Sequence, residues 1–441
     1  MEKALTTIEN TLSREGQFLR WLRVEQALAD AQASLGIIPQ EAAEKIAACA
    51  RPECLEMDQY EALYQKTGHP MVSLLKLLER AIGDPAGQYI HLGATTQDII
   101  DTAMVLAMKK TMDEADRILQ DMLRSACSLS EKHADTPMMG RTHNVQALPI
   151  TFGYKAAVWA SELDRCLERL RESRKRILAV QLSGAVGSMV SFGEDGPAIQ
   201  KKMAEELELS VPDICWHASR DRYGEFASQM ALLGTCIGRI AAEVYSLMGT
   251  EYGELSEYWG DGRVGSSTMP HKVNPTSTQH ILAKACHLRY ASAEVMEFMM
   301  VDHERNMQHF IGERTKMEQI CLYAAEILDR GAELLGTLVV NEENMLRNLN
   351  MLGGLTQSEH IMLELGKTIG KQNAHGIVGK IAVSSFQEHR NFEEELCRNE
   401  EITKVLSSEK IHELLDPLQY IGKCPQMARE TSEKITDKYS F

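Results

Sequence analysis

The chain has 441 residues, with 63 acidic side chains against 47 basic ones and a formal charge of −16. Hydrophobic residues make up 44% and charged residues 25%, a globular composition that excludes a disordered or collagen-like chain. The acidic balance disfavours nucleic acid and anionic lipid as partners, so an anionic ligand would need a locally positive pocket. In chain order, the residues before about 98 read as short helices, punctuated at 36–39, at Arg51-Pro52 and at the Gly68-His69-Pro70 turn. Met108, Met112, Ala115, Leu119, Met122, Ala126 and Leu129 then recur in alternating steps of four and three, the seam of a long packed helix. A second helix is expected from about Pro149 to Ile177, with Pro149 near its first turn. The seam pattern returns at Phe226, Met230, Leu233, Ile237, Ile240, Val244 and Leu247, where Gly234 and Gly238 would allow close backbone approach. It returns again at Ile281, Ala285, Leu288, Ser292, Val295 and Met299, and at Met317, Cys321, Ala324, Leu328, Gly331, Leu335 and Leu338. After Gly353-Gly354 the helices shorten and the end becomes charge-rich.

This pattern predicts an all-α protein in three parts: 1–98, a long-helix bundle over 99–350, and a helical segment 351–441. Helices of roughly 30–45 Å would be widely wet in a monomer, so oligomerisation is expected to cover them. Aromatics are 6% while Met reaches 23 residues, which also suits helix packing. The ten cysteines, from Cys49 to Cys424, show no CxxC pair, so neither structural zinc nor a disulfide framework is expected. The opening MEKALTTIEN lacks a signal-like apolar run, and no uncharged apolar stretch of about 20 residues occurs. The expectation is a reduced, cytoplasmic, soluble protein.

Between Trp259 and Pro275 the chain reads WGDGRVGSSTMPHKVNP. Composition alone would make this a plain linker. It nevertheless gathers Ser266, Ser267, Lys272 and Asn274 just before a helix start, whose free N–H groups favour an anion. From Gly265 to Pro275, Gly-Ser-Ser-x-Met-Pro-x-Lys-x-Asn-Pro resembles the signature loop of the fumarase/aspartase superfamily. Gly140-Arg141-Thr142-His143, with Gln146, Pro149 and Thr151-Phe152-Gly153, is similar to its second signature region. The run from His91 to Asp98, continued by Asp101-Thr102-Ala103, is similar to its first. Alone, His143 would read as a structural histidine and Thr95-Thr96 as helix caps. The three regions stand in the family order.

The resemblance implies a three-domain fold whose long helices form a twenty-helix core in a homotetramer, with sites shared between subunits. It implies β-elimination from a small anionic substrate, commonly with release of fumarate, and requires no metal and no cofactor. Ser266 would be the base, acting as an alkoxide that the loop must stabilise through Lys272, nearby amides and the helix end after Pro275. His143 would be the general acid, with Thr142 on the same wall. Lys272 and Asn274 would hold the carboxylate where charge accumulates, and Ser267 and Met269 complete the loop's substrate contacts. Thr95, Thr96 and Gln97 would grip carboxylate oxygens. His69 sits where some members carry a supporting histidine, though a plain turn histidine fits nearly as well. Gly260, Gly262 and Gly265 would hinge the loop over substrate.

Within the superfamily the chain is most similar to the branch of adenylosuccinate lyase and 3-carboxy-cis,cis-muconate cycloisomerase. The Arg220-Asp221-Arg222 run, with Arg305 and Arg314 at phosphate-binding positions, resembles the first. Phe310 in place of a phosphate-binding serine, Trp216 in place of a glutamine, and a start lacking the Arg-Tyr pair depart from it. Trp216-His217 resembles the second, whereas His143 departs from that side and Val273 from both. The preferred expectation is a fumarate-releasing C–N lyase acting on an N-substituted aspartate or another polycarboxylate. Adenylosuccinate lyase, a cycloisomerase-like enzyme and a bundle without turnover are the alternatives.

Overall fold

A computed structural model describes residues 3–260, 268–269 and 271–441. The chain is 72% helical, with 18 α-helices and two small two-stranded antiparallel sheets among the described residues. The elements needed below are helices α1 (Arg14–Ser34), α2 (Pro70–Ile82) and α3 (Thr96–Lys132) and strands β1 (Pro137–Thr142) and β2 (Val145–Thr151). They continue with α4 (Phe152–Ile177), α5 (Asp221–Leu247), β3 (Leu255–Ser256), α6 (Thr276–Phe298), α7 (Met307–Gly336), β4 (Val339–Val340) and α8 (Glu342–Leu349).

The four predicted seams fall on α3, α5, α6 and α7. Every member of the Phe226–Leu247 seam is buried, because a four-and-three repeat keeps one stripe of a helix turned to its neighbours. α5 is also, among the described residues, the one helix long and apolar enough to cross a bilayer by length and composition. Its apolar stripe is that buried seam. Two seams overrun their helices: Met299 lies past the end of α6 at Phe298, and Leu338 past the end of α7 at Gly336.

The predicted helix start at Pro149 is wrong. Pro149 lies in β2 opposite Met139, and α4 begins at Phe152. The hairpin was invisible to helical periodicity, since its strands are short and Gly140 bulges the register between Met139 and Arg141. The Thr151-Phe152-Gly153 motif then has a packing reason. Thr151 Oγ1 accepts the Tyr154 N–H at 3.2 Å, and Ser130 Oγ donates to the Gly153 carbonyl at 3.0 Å. A Cβ at Gly153 would stand 2.5 Å from Ala134 Cα, so no larger residue fits this approach.

The chain divides into two compact units. The first comprises Met1–Leu119, Cys166–Gly238 and His280–Arg330, and the second Gln120–Arg165, Arg239–Gln279 and Gly331–Phe441. Segment 99–350 contributes to both.

In the first unit, Phe18, Trp21, Leu22, Val24 and Leu28 of α1 bury against Leu74, Leu77 and Leu78 of α2 and Ile99, Ile100 and Ala103 of α3. Ser13 starts α1 by accepting the Gly16 N–H at 3.0 Å. Gly234 fits the expected close approach: a Cβ there would meet Leu288 Cδ2 of α6 at 2.7 Å and make that side chain shift. Arg220 is buried between two carboxylates, donating to Asp101 at 2.7 and 3.0 Å and to Glu313 at 3.0 and 3.1 Å. Its guanidinium also lies 4.4 Å from the Tyr223 ring centroid and 5.1 Å from that of Trp216.

In the second unit, Ile361, Leu365, Val378, Phe392, Leu396, Ile402 and Ile411 form a core of their own among the short C-terminal helices. β3 and β4 pair antiparallel through Leu255↔Val340 and Ser256↔Val339.

Candidate active site

The residues expected at the site fall into one set per unit. In the first unit, Thr95 immediately precedes α3 and Asp98 stands three residues on. The Thr95 N–H donates to Asp98 Oδ2 at 3.0 Å and the Asp98 N–H to the Thr95 carbonyl at 2.9 Å, closing the helix start on itself. Fully buried, Asp98 also accepts the N–H groups of Ser183 at 2.9 Å and Gly184 at 3.0 Å, and meets His217 Nε2 at 2.8 Å. Burial opposes a charge on His217. The Asp98 hydrogen bond and charge, with the neighbouring Cys215 sulfur, outweigh it and push the imidazole up to about 9.

The Thr95 and Thr96 side chains are half-buried. Gln97 is buried, and its side-chain N–H groups donate to Asp101 Oδ2 at 3.1 Å and to the His217 carbonyl at 3.2 Å. Both amide donors expected to grip substrate are therefore engaged within this unit. His69 starts α2 as its N-cap, Nδ1 accepting the Val72 N–H at 3.3 Å, which places the ring proton on Nε2.

Arg305 is exposed and donates to the Ala185 carbonyl at 2.6 Å, with Thr95 Oγ1 at 3.5 Å. Arg314 is half-buried, its guanidinium 5.4 Å from the Trp21 ring centroid and 3.7 Å from Glu318. The two substitutions that set this chain apart from a nucleotide enzyme face inward. Phe310 packs against the first unit's core. Trp216 is 2% exposed, its indole N–H donating to the Val180 carbonyl at 3.0 Å. Trp216 is thus a core residue. By resemblance it stands in place of a substrate-binding glutamine, a departure from the nucleotide enzyme.

In the second unit, His143 and Asn144 form the two-residue tip of the β1–β2 hairpin, with φ of +53° and +64° and Thr142 paired with Val145. Two left-handed residues make this the turn whose twist matches the strands. Thr142 and His143 are both exposed there. The hairpin is clamped from below. Arg141 donates to Glu254 at 2.9 and 2.6 Å, and Glu254, fully buried, also accepts from Asn348 Nδ2 at 2.8 Å. Gln146 donates to the Asn348 carbonyl at 2.9 Å, so both strands of the hairpin are tied to the β3 edge and α8. Glu254 and Asn348 were missed by sequence reasoning, since neither lies in a motif and no periodicity marks them.

Glu254→Gln keeps the shape but leaves the largely buried Arg141 without its counter-charge. We expect a loss of about 3 kcal/mol of stability and a fall in kcat with little change in KM. Thermal denaturation and steady-state kinetics would check this, and an unshifted melting temperature would remove the clamp.

Ser266 and Ser267 lie outside the described residues. Of the rest of the loop, Met269 and Lys272 are exposed and joined by a turn, the Lys272 N–H donating to the Met269 carbonyl at 3.0 Å. Asn274 is half-buried, and its carbonyl accepts the Thr276 N–H at 2.9 Å. At the start of α6 one expectation needs correcting. Glu257 takes the Ser277 and Thr278 N–H groups at 3.1 and 2.8 Å, so these two amides are not available to stabilise an alkoxide.

Among the described residues no group of three or more His, Cys, Asp or Glu side chains is placed to hold a metal. The arrangement offers an exposed histidine on a rigid turn, and an exposed lysine beside a carboxamide.

The profile of the family described as "Lyase" matches residues 3–289, and that of "Adenylosuccinate lyase C-terminus" matches residues 354–431. The chain belongs to the fumarase/aspartase superfamily. It is an enzyme of the lyase class, in the branch of adenylosuccinate lyase and carboxymuconate cycloisomerase. Against N-acetyl-S-(2-succino)cysteine lyase of Dickeya dadantii (strain 3937) it is 37% identical, over 95% of this chain and 92% of that one. Against adenylosuccinate lyase of Methanocaldococcus jannaschii it is 36% identical, over 96% and 92%. The crystal structure of 3-carboxy-cis,cis-muconate lactonizing enzyme from Pseudomonas putida superposes with a TM-score of 0.91 at 30% identity, covering 99% of this chain and 98% of that one. In this superfamily member the three sequence motifs thus sit on a helix start, on a hairpin tip and in the segment before α6.

Proposed function

We propose that the enzyme releases fumarate by β-elimination from the S-(2-succinyl) thioether of a small thiol. The observation that carries this reading is the 37% identity, over 95% of the chain, to a lyase named for N-acetyl-S-(2-succino)cysteine. Such a substrate keeps the succinate half expected from the motifs and changes only the leaving atom, from nitrogen to sulfur. Ser266 removes a proton from the carbon next to one carboxylate. Lys272 and Asn274 hold that carboxylate as it gathers charge, and the C–S bond then breaks to give fumarate and a thiol. His143 protonates the departing atom. A thiol has a pKa near 8.5, so sulfur needs this help less than an amine does.

The inward placement of Phe310, which packs on the core and offers no donor to a phosphate, supports a substrate smaller than a nucleotide. Adenylosuccinate is the second reading, favoured by the 36% identity to the Methanocaldococcus jannaschii enzyme. The proposal includes a cytoplasmic homotetramer with sites shared between subunits. Tyr290 on α6 and Ile311 on α7, 70% and 61% exposed in the single chain, support helix faces covered by other copies.

The test is fumarate release followed by absorbance, with N-acetyl-S-(2-succinyl)cysteine, adenylosuccinate and N-alkyl aspartates as separate substrates. We expect kcat/KM for the thioether above about 10⁴ M⁻¹s⁻¹ and at least about a hundredfold below that for adenylosuccinate. The opposite ranking would replace this reading by the second.

A further inference from the structure

Asp98 accepts four hydrogen bonds, and they join two separate stretches of the first unit. Its Oδ2 takes the N–H groups of Thr95 and Gly184 at 3.0 Å each. Its Oδ1 takes the Ser183 N–H at 2.9 Å and meets His217 Nε2 at 2.8 Å. These donors use both oxygens of the carboxylate in full. A second bridge joins the same stretches, Ser191 Oγ donating to the Gly93 carbonyl at 2.5 Å. The turn before α3 and the segment 183–191 thus form one frame. Two groups that reach solvent meet on it. Arg305 Nη2 donates to the Ala185 carbonyl at 2.6 Å, and the same nitrogen lies 3.5 Å from Thr95 Oγ1. We propose that Thr95 and Arg305 together grip one carboxylate of the substrate, and that Asp98 and His217 are the positioning residues that set their separation.

The pair has the donors a carboxylate needs. Among the described residues Arg305 has no carboxylate within 4 Å, and its Nη1 and Nε have no hydrogen-bond partner. The Thr95 hydroxyl has only the long contact with Arg305, so its proton can be donated. A planar guanidinium beside a hydroxyl donor matches the two oxygens of a carboxylate. Gln97, the amide expected in this role, is spent on Asp101 and the His217 carbonyl, and the cation takes its place. The frame beneath adds little charge of its own. Burial opposes a charge on His217, but the Asp98 hydrogen bond and charge, with the Cys215 sulfur, push it up to about 9. The imidazolium therefore offsets Asp98 at neutral pH, and an incoming anion is not repelled.

Lys272 and Asn274 are assigned the carboxylate that gathers charge. The grip takes the other one, on the carbon that bears the departing sulfur. This assignment rests on the succinyl substrate proposed above. A position that resembles a phosphate site of the nucleotide enzyme thus serves a carboxylate here.

Binding of succinate is titrated by ligand-observed NMR, which needs no turnover, beside the kinetics of fumarate release from the thioether. We expect Arg305→Gln to weaken succinate at least about tenfold and to melt within about 2 °C of the parent, since its side chain is exposed. Arg305→Lys keeps the charge but not the fork, and should recover only part of the loss. Asp98→Asn sets an N–H against at least one of the backbone donors, whichever way the amide turns, and should also weaken succinate about tenfold. If Asp98 acts through the grip, the losses do not multiply. The double variant should bind within about threefold of the weaker single one. If Asp98→Asn fails to fold, hydrogen exchange decides: succinate should slow exchange in 93–98 and 183–191 together in the parent, and in neither segment of Arg305→Gln. No succinate binding by the parent, parent-like affinity in Arg305→Gln, losses that multiply, or slowing in one segment alone would overturn the grip or its positioning. Succinate binding can depend on Arg305 whether or not the thioether is turned over. Conversely, the thioether can be turned over while Arg305→Gln binds succinate like the parent.

Discussion

Ser266→Ala is expected to lower kcat for fumarate release by about a thousandfold or more, while thermal stability and substrate binding stay close to the parent. A serine hydroxyl is a poor base, so the proposed role demands that its alkoxide be stabilised by positive charge when substrate is bound. The structure narrows where that charge can originate. The first free amides of α6 were an attractive source, but Glu257 occupies those of Ser277 and Thr278. Among the described residues before the helix, the exposed Lys272 ammonium is a source that remains. Lys272→Met should therefore affect kcat as well as KM, whereas a residue that only binds the ground-state carboxylate would raise KM alone. Fumarate release from Ser266→Ala within tenfold of the parent would transfer the base role elsewhere. Binding can be followed separately by titrating the variant with the thioether substrate.

Much of the scaffold was legible because long helices write their packing into the sequence. A four-and-three apolar repeat persists over many turns, and the seams on α3, α5, α6 and α7 emerged with burial where expected. The hairpin that carries His143 left no such trace. Its strands span six and seven residues, and a bulge at Gly140 breaks their alternation. A proline read as a helix start is instead a strand residue.

The motifs pointed to candidate residues but not to what their atoms bond. Gln97 looked like a donor to substrate, yet its two N–H groups bond Asp101 and the His217 carbonyl. Trp216 stands where the nucleotide enzyme carries a substrate-binding glutamine, and it is core. The supporting residues Glu254, Asn348 and Glu257 act from distant positions in sequence. Glu254 lies 113 residues from Arg141, and no local rule connects them. What was missed is tertiary pairing of charge, which depends on which segments the fold brings together.

His143→Gln separates the two leaving-atom chemistries. The tip of the hairpin fixes where the ring sits: both His143 and Asn144 hold left-handed backbone, and the Arg141–Glu254 pair anchors the strand that leads to them. Glutamine removes the ionisable nitrogen and keeps a polar side chain of similar reach. If His143 gives its proton to the departing atom, the loss should grow with the basicity of that atom. For thiols near pKa 8.5 the anion leaves with modest help, and we expect a fall in kcat of about tenfold. Expelled as an unprotonated anion, an amine is a far worse leaving group, so N-alkyl aspartates should lose about a thousandfold or more. A plot of log kcat against leaving-group pKa, flat for the parent and steep for the variant, is the signature of general-acid catalysis. Parallel plots would mean that His143 orients the substrate without transferring a proton. The slope would then also bear on the substrate, since a site evolved for thioethers tolerates the loss of its acid far better than one evolved for amines.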